Sequence, residues 1–193
     1  MQEKTDVKER IIAATTELIE QSEGDVECIT ARAIAERANV CLGLINYHFG
    51  SKDNLITVCV QRIICHVVSE MGKCRSCASD RQRLTAWATC VFDFLFEHAA
   101  IARISILGDL RNYTPECNSV CIQHGLEQSM AQDVDAAERP FAAFVLTAAM
   151  QAAFLGRDAI RTVLGYDMDR PEDRAAYIAR LVDDLFDGIG TEQ

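Results

Sequence analysis

A chain of 193 residues, 49% hydrophobic and 25% charged, has the composition of a globular protein and the length for one or two domains with a substantial core. Its net charge of −10 speaks against a protein that coats nucleic acid nonspecifically, though not against a small local reading surface. The longest apolar stretch, residues 141–156, contains Thr147 and Gln151 and stops short of the ~20 residues a membrane span requires.

The opening MQEKTDVKER has no apolar signal region, so a cytoplasmic protein without a membrane partner is expected. Nine cysteines, an odd number spread along the chain, read as free thiols of a reducing compartment. With only three prolines and ten glycines, long stretches lack helix breakers, and no convincing period-two strand occurs. The expected fold class is all-α.

In chain order, Asp6 followed by Glu9 predicts a capped helix start, with Val7, Ile11, Ala14, Leu18 and Ile19 recurring at helical spacing. EGDVE at 23–27 breaks that helix. Thr30 can cap a short second helix, ARAIAERA, whose apolar face is Ala31, Ile34, Ala35 and Ala38. Asn39-Val40 then forms a tight turn, Asn being among the few residues other than glycine that tolerate a left-handed backbone. A third short helix over 42–48 ends near Gly50, and Ser51 caps a long fourth helix running toward Gly72. Beyond GKCRSCAS, Ser79 with Gln82 gives another capping box ahead of a stripe of Leu84, Trp87, Ala88, Val91 and Leu95. Further helices are predicted over 100–112, over 115–133 with Thr114 as cap and Pro115 as first residue, over 137–164 and over 171–188.

Two short helices joined by a tight turn, preceded by a third helix, make a helix-turn-helix. Such a motif sets its second short helix into the major groove of DNA. The reading helix is then 42–48, within CLGLINYHFGSKDNL. Cys41, Leu42 and Gly43 open it, and the small glycine allows close approach to DNA. Ile45 and Phe49, four apart, suit the core; Tyr47 and His48 fall off that stripe and can bond phosphate oxygens through a hydroxyl and an imidazole N–H. Lys52 adds a charge at the start of the next helix, and the amides after Ser51 form a phosphate seat. Residues 30–52 hold Arg32, Arg37 and Lys52 against Glu36, a local net charge of +2 in an acidic chain.

The arrangement resembles the TetR-type transcriptional repressors, on the strength of Thr30, Ile34, Ala35, Ala38, Val40, Tyr47, His48, Phe49, Lys52 and Leu55. INYHFGSKDNL is similar to one common variant of that family's signature, and the resemblance spans residues 10–56. It implies an N-terminal three-helix helix-turn-helix domain, residues 1–50, and a C-terminal helical domain for ligand binding and dimerisation, residues 51–193. It further implies that Thr30, Tyr47, His48 and Lys52 contact the DNA backbone while Leu42, Gly43 and Asn46 face base edges; Arg32 and Cys41 complete the expected DNA-binding set. Three residues depart from the family's pattern. Asn39 stands where glycine is usual, Cys41 where serine commonly caps the reading helix, and Leu42 where a polar or basic residue is frequent, which makes readout there apolar, against a thymine methyl.

The implied partners are a pseudo-palindromic double-stranded operator, a small-molecule effector and a second copy of the chain, with no cofactor, no catalytic residue and no metal. RPFAAFVLTAAMQAAFLGRDAI is apolar nearly all round, as a helix covered by its own body and a partner must be. Ile178, Leu181, Val182, Leu185 and Ile189 form the matching stripe of the last helix. Trp87, Val91, Phe94, His98, Leu107, Tyr113, Phe144 and Met150 are candidate walls of an apolar effector pocket, and core packing is the competing reading for each. Cys74 and Cys77, with Cys117 and Cys121, could in principle complete a tetrahedral zinc or redox site, against the plainer reading of separate thiols. A repressor that senses thiol chemistry or metal is thus the alternative function. A helical enzyme or carrier is the more distant one, because adjacent Glu97 and His98 diverge on a helix and no nucleophile–base spacing occurs. YDMDRPED at 166–173 resembles a cation loop, but carboxylates at a helix start are ordinary complements of its dipole.

Overall fold

The computed structural model describes residues 2–22, 25–71, 79–131 and 134–189, and every regular element among them is helical. The order is α1 (Gln2–Gln21), a 3-10 turn (Val26–Cys28), α2 (Ala31–Ala38), α3 (Leu42–Phe49), α4 (Lys52–Met71), α5 (Asp80–Glu97), α6 (Ala99–Arg111), α7 (Asn118–Ser129), α8 (Arg139–Leu155), α9 (Arg157–Leu164) and α10 (Pro171–Ile189). The chain divides into two compact units. One comprises residues 1–66 with 98–108, the other residues 67–97 with 109–193.

The first unit closes around apolar residues that recur at helical spacing. Ile11, Ala14 and Ile19 of α1 are buried with Ile34, Ala35 and Ala38 of α2, Ile45 and Phe49 of α3, and Leu55, Ile56, Cys59, Val60 and Ile64 of α4. Helix α4 therefore shares this core through residue 64, and the unit runs past residue 50, where the sequence suggested a boundary. Two contacts tie α4 to α1: the Cys59 thiol faces the Ile12 carbonyl at 3.7 Å, and Arg62 grips both carboxylate oxygens of Glu9 at 2.6 and 3.0 Å. Burial pushes the Cys59 thiol up to about 11, while the Arg62 hydrogen bonds hold the Glu9 carboxyl below its ordinary value. Helix α1 begins at Gln2, ahead of the predicted start at Asp6, because Gln2, Glu3 and Lys4 are themselves good helix formers and nothing stops the helix there.

In the second unit, α5 packs on α10 and α7 on α8. Aromatic rings fill its centre: Phe96 stands edge-on to Phe92 at 5.2 Å and to Phe154 at 5.3 Å. The buried Arg174 guanidinium lies 4.9 Å from the Phe96 ring, bonds Asp93 at 2.6 Å and donates to the Met168 carbonyl at 3.0 Å.

Two predicted elements of this unit need correction. Helix α7 starts at Asn118, so Pro115 precedes the helix and is not its first residue. Its N-cap, Cys117, makes no side-chain cap bond. Instead the buried Asp109 of α6 accepts from the Ser119 amide at 2.7 Å and from its hydroxyl at 2.6 Å, and Gln151 of α8 donates to the same hydroxyl at 2.8 Å. Predicted helix 137–164 is two helices, α8 and α9, bent by 102° around Gly156. Helix α10 stands as predicted; within the chain, Ile178 and Val182 of the expected interface stripe are fully buried, and Leu181 and Leu185 are half-buried.

The carboxylates of YDMDRPED bond backbone amides: Asp173 accepts from the Asp167 amide at 2.8 Å and Asp167 from the Asp169 amide at 3.3 Å. Cys74 and Cys77 lie outside the described residues, and Cys117 and Cys121 are half-buried. No group of three or more metal-ligating side chains occurs among the described residues. No single helix among them is long and apolar enough to cross a membrane, although the bent pair α8 and α9 meets the length and composition that would be required.

Candidate nucleic-acid interface

Helix α2 is held at both ends by the residues its sequence offers. The Thr30 hydroxyl accepts from the Ala33 amide at 3.1 Å, an N-cap that stabilises by about 1 kcal/mol in typical proteins. At the other end Asn39 adopts φ 53° and ψ 53°, and amide bonds from Asn39 and Val40 reach back to the Glu36 and Ala35 carbonyls. The chain then turns into α3 at Cys41, which makes no side-chain cap bond, so the substitution of thiol for hydroxyl leaves that end uncapped.

Helix α3 splits into two faces. Ile45 and Phe49 are 0% and 5% exposed, whereas Leu42 and Tyr47 are 49% and 68% exposed. Gly43 and Asn46 lie on the open face with Leu42 and Tyr47, and His48 is half-buried between the faces. The rings of Tyr47 and His48 meet edge-to-face at 5.0 Å, which fixes the Tyr47 hydroxyl on a stiff aromatic pair. A Cβ built on Gly43 would meet no atom within 4 Å, so nothing inside the protein requires a glycine there.

Gly50 ends the helix at φ 76°, a conformation that side-chain-bearing residues rarely adopt. Ser51 caps α4 through its hydroxyl, which accepts from the Asn54 amide at 3.1 Å. The Asn54 side chain donates to the Phe49 carbonyl at 2.8 Å and so links the end of α3 to the start of α4. This link escaped the sequence reading, because an Asn three residues past a Ser resembles any first-turn residue. Lys52 lies 3.9 Å from Asp53 and is three-quarters covered.

The two arginines of the basic stretch behave differently. Arg37 turns toward α1, bonding Glu17 at 3.0 Å and Gln21 at 3.3 Å. Arg32 pairs with Glu36 at 3.1 Å along the surface of α2 and is 85% exposed. Thr30, Arg32, Cys41, Leu42, Gly43, Asn46, Tyr47, His48 and Lys52 thus all belong to the first unit, on α2, α3 and the two adjoining helix starts.

Residues 11–59 match the profile of bacterial regulatory proteins of the tetR family. Over that stretch, about a quarter of its length, the chain is similar to the tetR family of regulatory proteins. The chain is also similar to the HTH-type transcriptional regulator BetI of Burkholderia thailandensis, 30% identical over 86 residues, which is 44% of this chain and 43% of that protein, so the match spans less than half the length of that relative. Likeness in fold covers the whole length. A TetR regulator from Streptomyces coelicolor superposes with a TM-score of 0.69 at 22% identity, covering 94% of this chain and 96% of that one. FadR of Bacillus subtilis, solved in complex with stearoyl-CoA, superposes with a TM-score of 0.60 at 16% identity, covering 93% and 98%.

The eight candidate effector residues divide between the two units. His98 and Leu107 fall in the first unit, the other six in the second. Val91, Phe94 and Met150 are buried, while Leu107, Tyr113 and Phe144 are large exposed apolar residues. Trp87 packs on Gly125 of α7, so closely that a Cβ on that glycine would lie 2.4 Å from the indole. Tyr113 accepts a hydrogen bond from Gln123 at 2.7 Å.

Proposed function

We propose that this chain is a homodimeric transcriptional repressor that reads a pseudo-palindromic operator through α3 and leaves it when a small, largely apolar effector binds the second unit. The observation that carries the reading is Gly43. Gly43 stands in the first turn of α3, and the protein's own packing gives no reason for the missing side chain there. Close approach of an outside surface, beside Leu42, Asn46 and Tyr47, supplies one.

Dimerisation is supported by α8. Phe141 and Phe144 are 67% and 49% exposed, and Ala148 and Ala152 continue the same open face at helical spacing. An apolar stripe of this length with a run of small residues suits the same face of a second copy. Phe144 then serves the interface rather than a pocket. An apolar effector is in keeping with the aromatic centre of the second unit and with the acyl ligand of FadR. Release follows if the effector binds better to a conformation in which the two reading helices are wrongly spaced.

The test is duplex binding. Wild type should enrich a defined site from a random-sequence duplex pool. Tyr47→Phe and Lys52→Ala should weaken binding to all duplexes alike, and Lys52→Ala should lower the salt slope by about one unit. Affinity and salt slope unaltered in both variants would remove the phosphate-contact assignment.

A further inference from the structure

We infer that Arg10 and Lys8 of α1 are positioning residues that set the pose of the reading helix from its two ends. This inference rests on the DNA-reading role proposed for α3. At the turn between α2 and α3, the amides of Asn39 and Val40 satisfy the Glu36 and Ala35 carbonyls. The carbonyls of Ala38 and Asn39 remain, pointing out of a helix end that carries partial negative charge. Arg10 takes both: one Nη2 donates to the Ala38 oxygen at 2.6 Å and to the Asn39 oxygen at 2.8 Å. At the far end of α3, the Lys8 ammonium sits 5.7 Å from the centre of the Phe49 ring. Between these two residues, Glu9 is gripped by Arg62 of α4.

Three consecutive residues of α1 thus hold the turn before α3, the last residue of α3 and the helix after it. All three are exposed, and exposed polar contacts of this kind add little to stability. Their geometric effect is larger. The turn at Asn39 has one left-handed residue and a short link to α3, so a clamp on its carbonyls fixes the direction in which Leu42, Gly43 and Asn46 point. A planar guanidinium can serve two diverging carbonyls, whereas one ammonium on a flexible stem holds a single direction poorly.

The experiment measures two affinities across a salt series: for the duplex that wild type enriches, and for a shuffled duplex of equal length and composition. A residue that merely supports folding would not alter the ratio of these affinities well below the melting temperature. Arg10→Met is expected to lower the ratio by about tenfold, the loss typical of one misread base pair, with the salt slope unchanged. Arg10→Lys should fall between Arg10→Met and wild type. Equal loss on both duplexes with a slope reduced by about one unit would make Arg10 a phosphate contact and overturn the inference. An unchanged ratio in Arg10→Met would overturn it too. Should Arg10→Met fail to fold, Arg10→Lys decides: a wild-type ratio there shows that the two-carbonyl clamp is not needed. If wild type itself enriches no site, the DNA-reading proposal fails first, and the two failures are distinct.

Discussion

Gly125 of α7 lies under the indole of Trp87, and a Cβ there would stand 2.4 Å from Cζ2 and 2.5 Å from Cη2. Replacement by alanine brings two opposed effects. Helix propensity favours alanine by about 0.8–1.0 kcal/mol, and overpacking of this kind typically destabilises by about 1–3 kcal/mol. The net expectation is a loss between about zero and 2 kcal/mol, which lowers the melting temperature by about 2–4 °C per kcal/mol in a chain of this size. Gly108 of α6 provides the contrast, since nothing lies within 4 Å of a Cβ there and only the propensity gain remains. Gly108→Ala should therefore melt higher than wild type, and Gly125→Ala no higher. Trp87 is the sole tryptophan, so intrinsic fluorescence reads its surroundings directly. Displacing the indole toward water should shift its emission to longer wavelength in Gly125→Ala alone. Melting is compared at one protein concentration, because a dimer's apparent stability depends on it. If both alanine variants gain the same stability and the emission stays put, the indole does not rest on Gly125 and the reasoning is refuted.

Cys59 supplies a pH prediction: its buried thiol titrates at about 11 against an ordinary 9.0. Below pH 9 the thiol is protonated in both folded and unfolded chains; between 9 and 11 the unfolded chain sheds the proton and the folded one keeps it. Wild-type stability should then fall through that window more steeply than that of Cys59→Ala in urea titrations, and parallel slopes would contradict the burial. Ala148→Glu, on the open face of α8, should turn a dimer into a monomer in sedimentation, with helicity retained; a dimer that persists would exclude that face as the interface.

The first unit was legible in the sequence because its signals are local. A hydroxyl three residues before the amide it caps, an Asn at the left-handed position and an apolar pair four apart are all short-range relations, and Thr30, Asn39, Ile45 and Phe49 stand as those relations predict. What failed depends on distant partners. Helix α7 starts late because the Ser119 amide in its first turn finds a carboxylate from ten residues upstream, which no cap pattern at Thr114-Pro115 could reveal. Apolar periodicity ran unbroken through Gly156 although the helix axis turns there, since a continuous apolar run constrains burial and not direction. In α10 the same ambiguity hid which partner the stripe serves: Ile178 and Val182 turned out to face their own subunit. Arg10, Lys8 and Asn54 were passed over because long or polar side chains on a helix surface look alike until the backbone oxygen or ring they reach is known.

The carboxylate of Asp109 bears on how the second unit comes apart. Helix α7 borrows a capping carboxylate from α6, and the Ser119 hydroxyl that donates to it also accepts from Gln151 of α8, so the first turn of α7 is tied to both neighbouring helices. Fraying at that point must separate two buried polar groups at once, Asp109 and Ser119, each of which satisfies the other in the closed state. The segment from 109 to 119 should then exchange its amide hydrogens as one cooperative block, opening in a single event shared by the end of α6 and the start of α7.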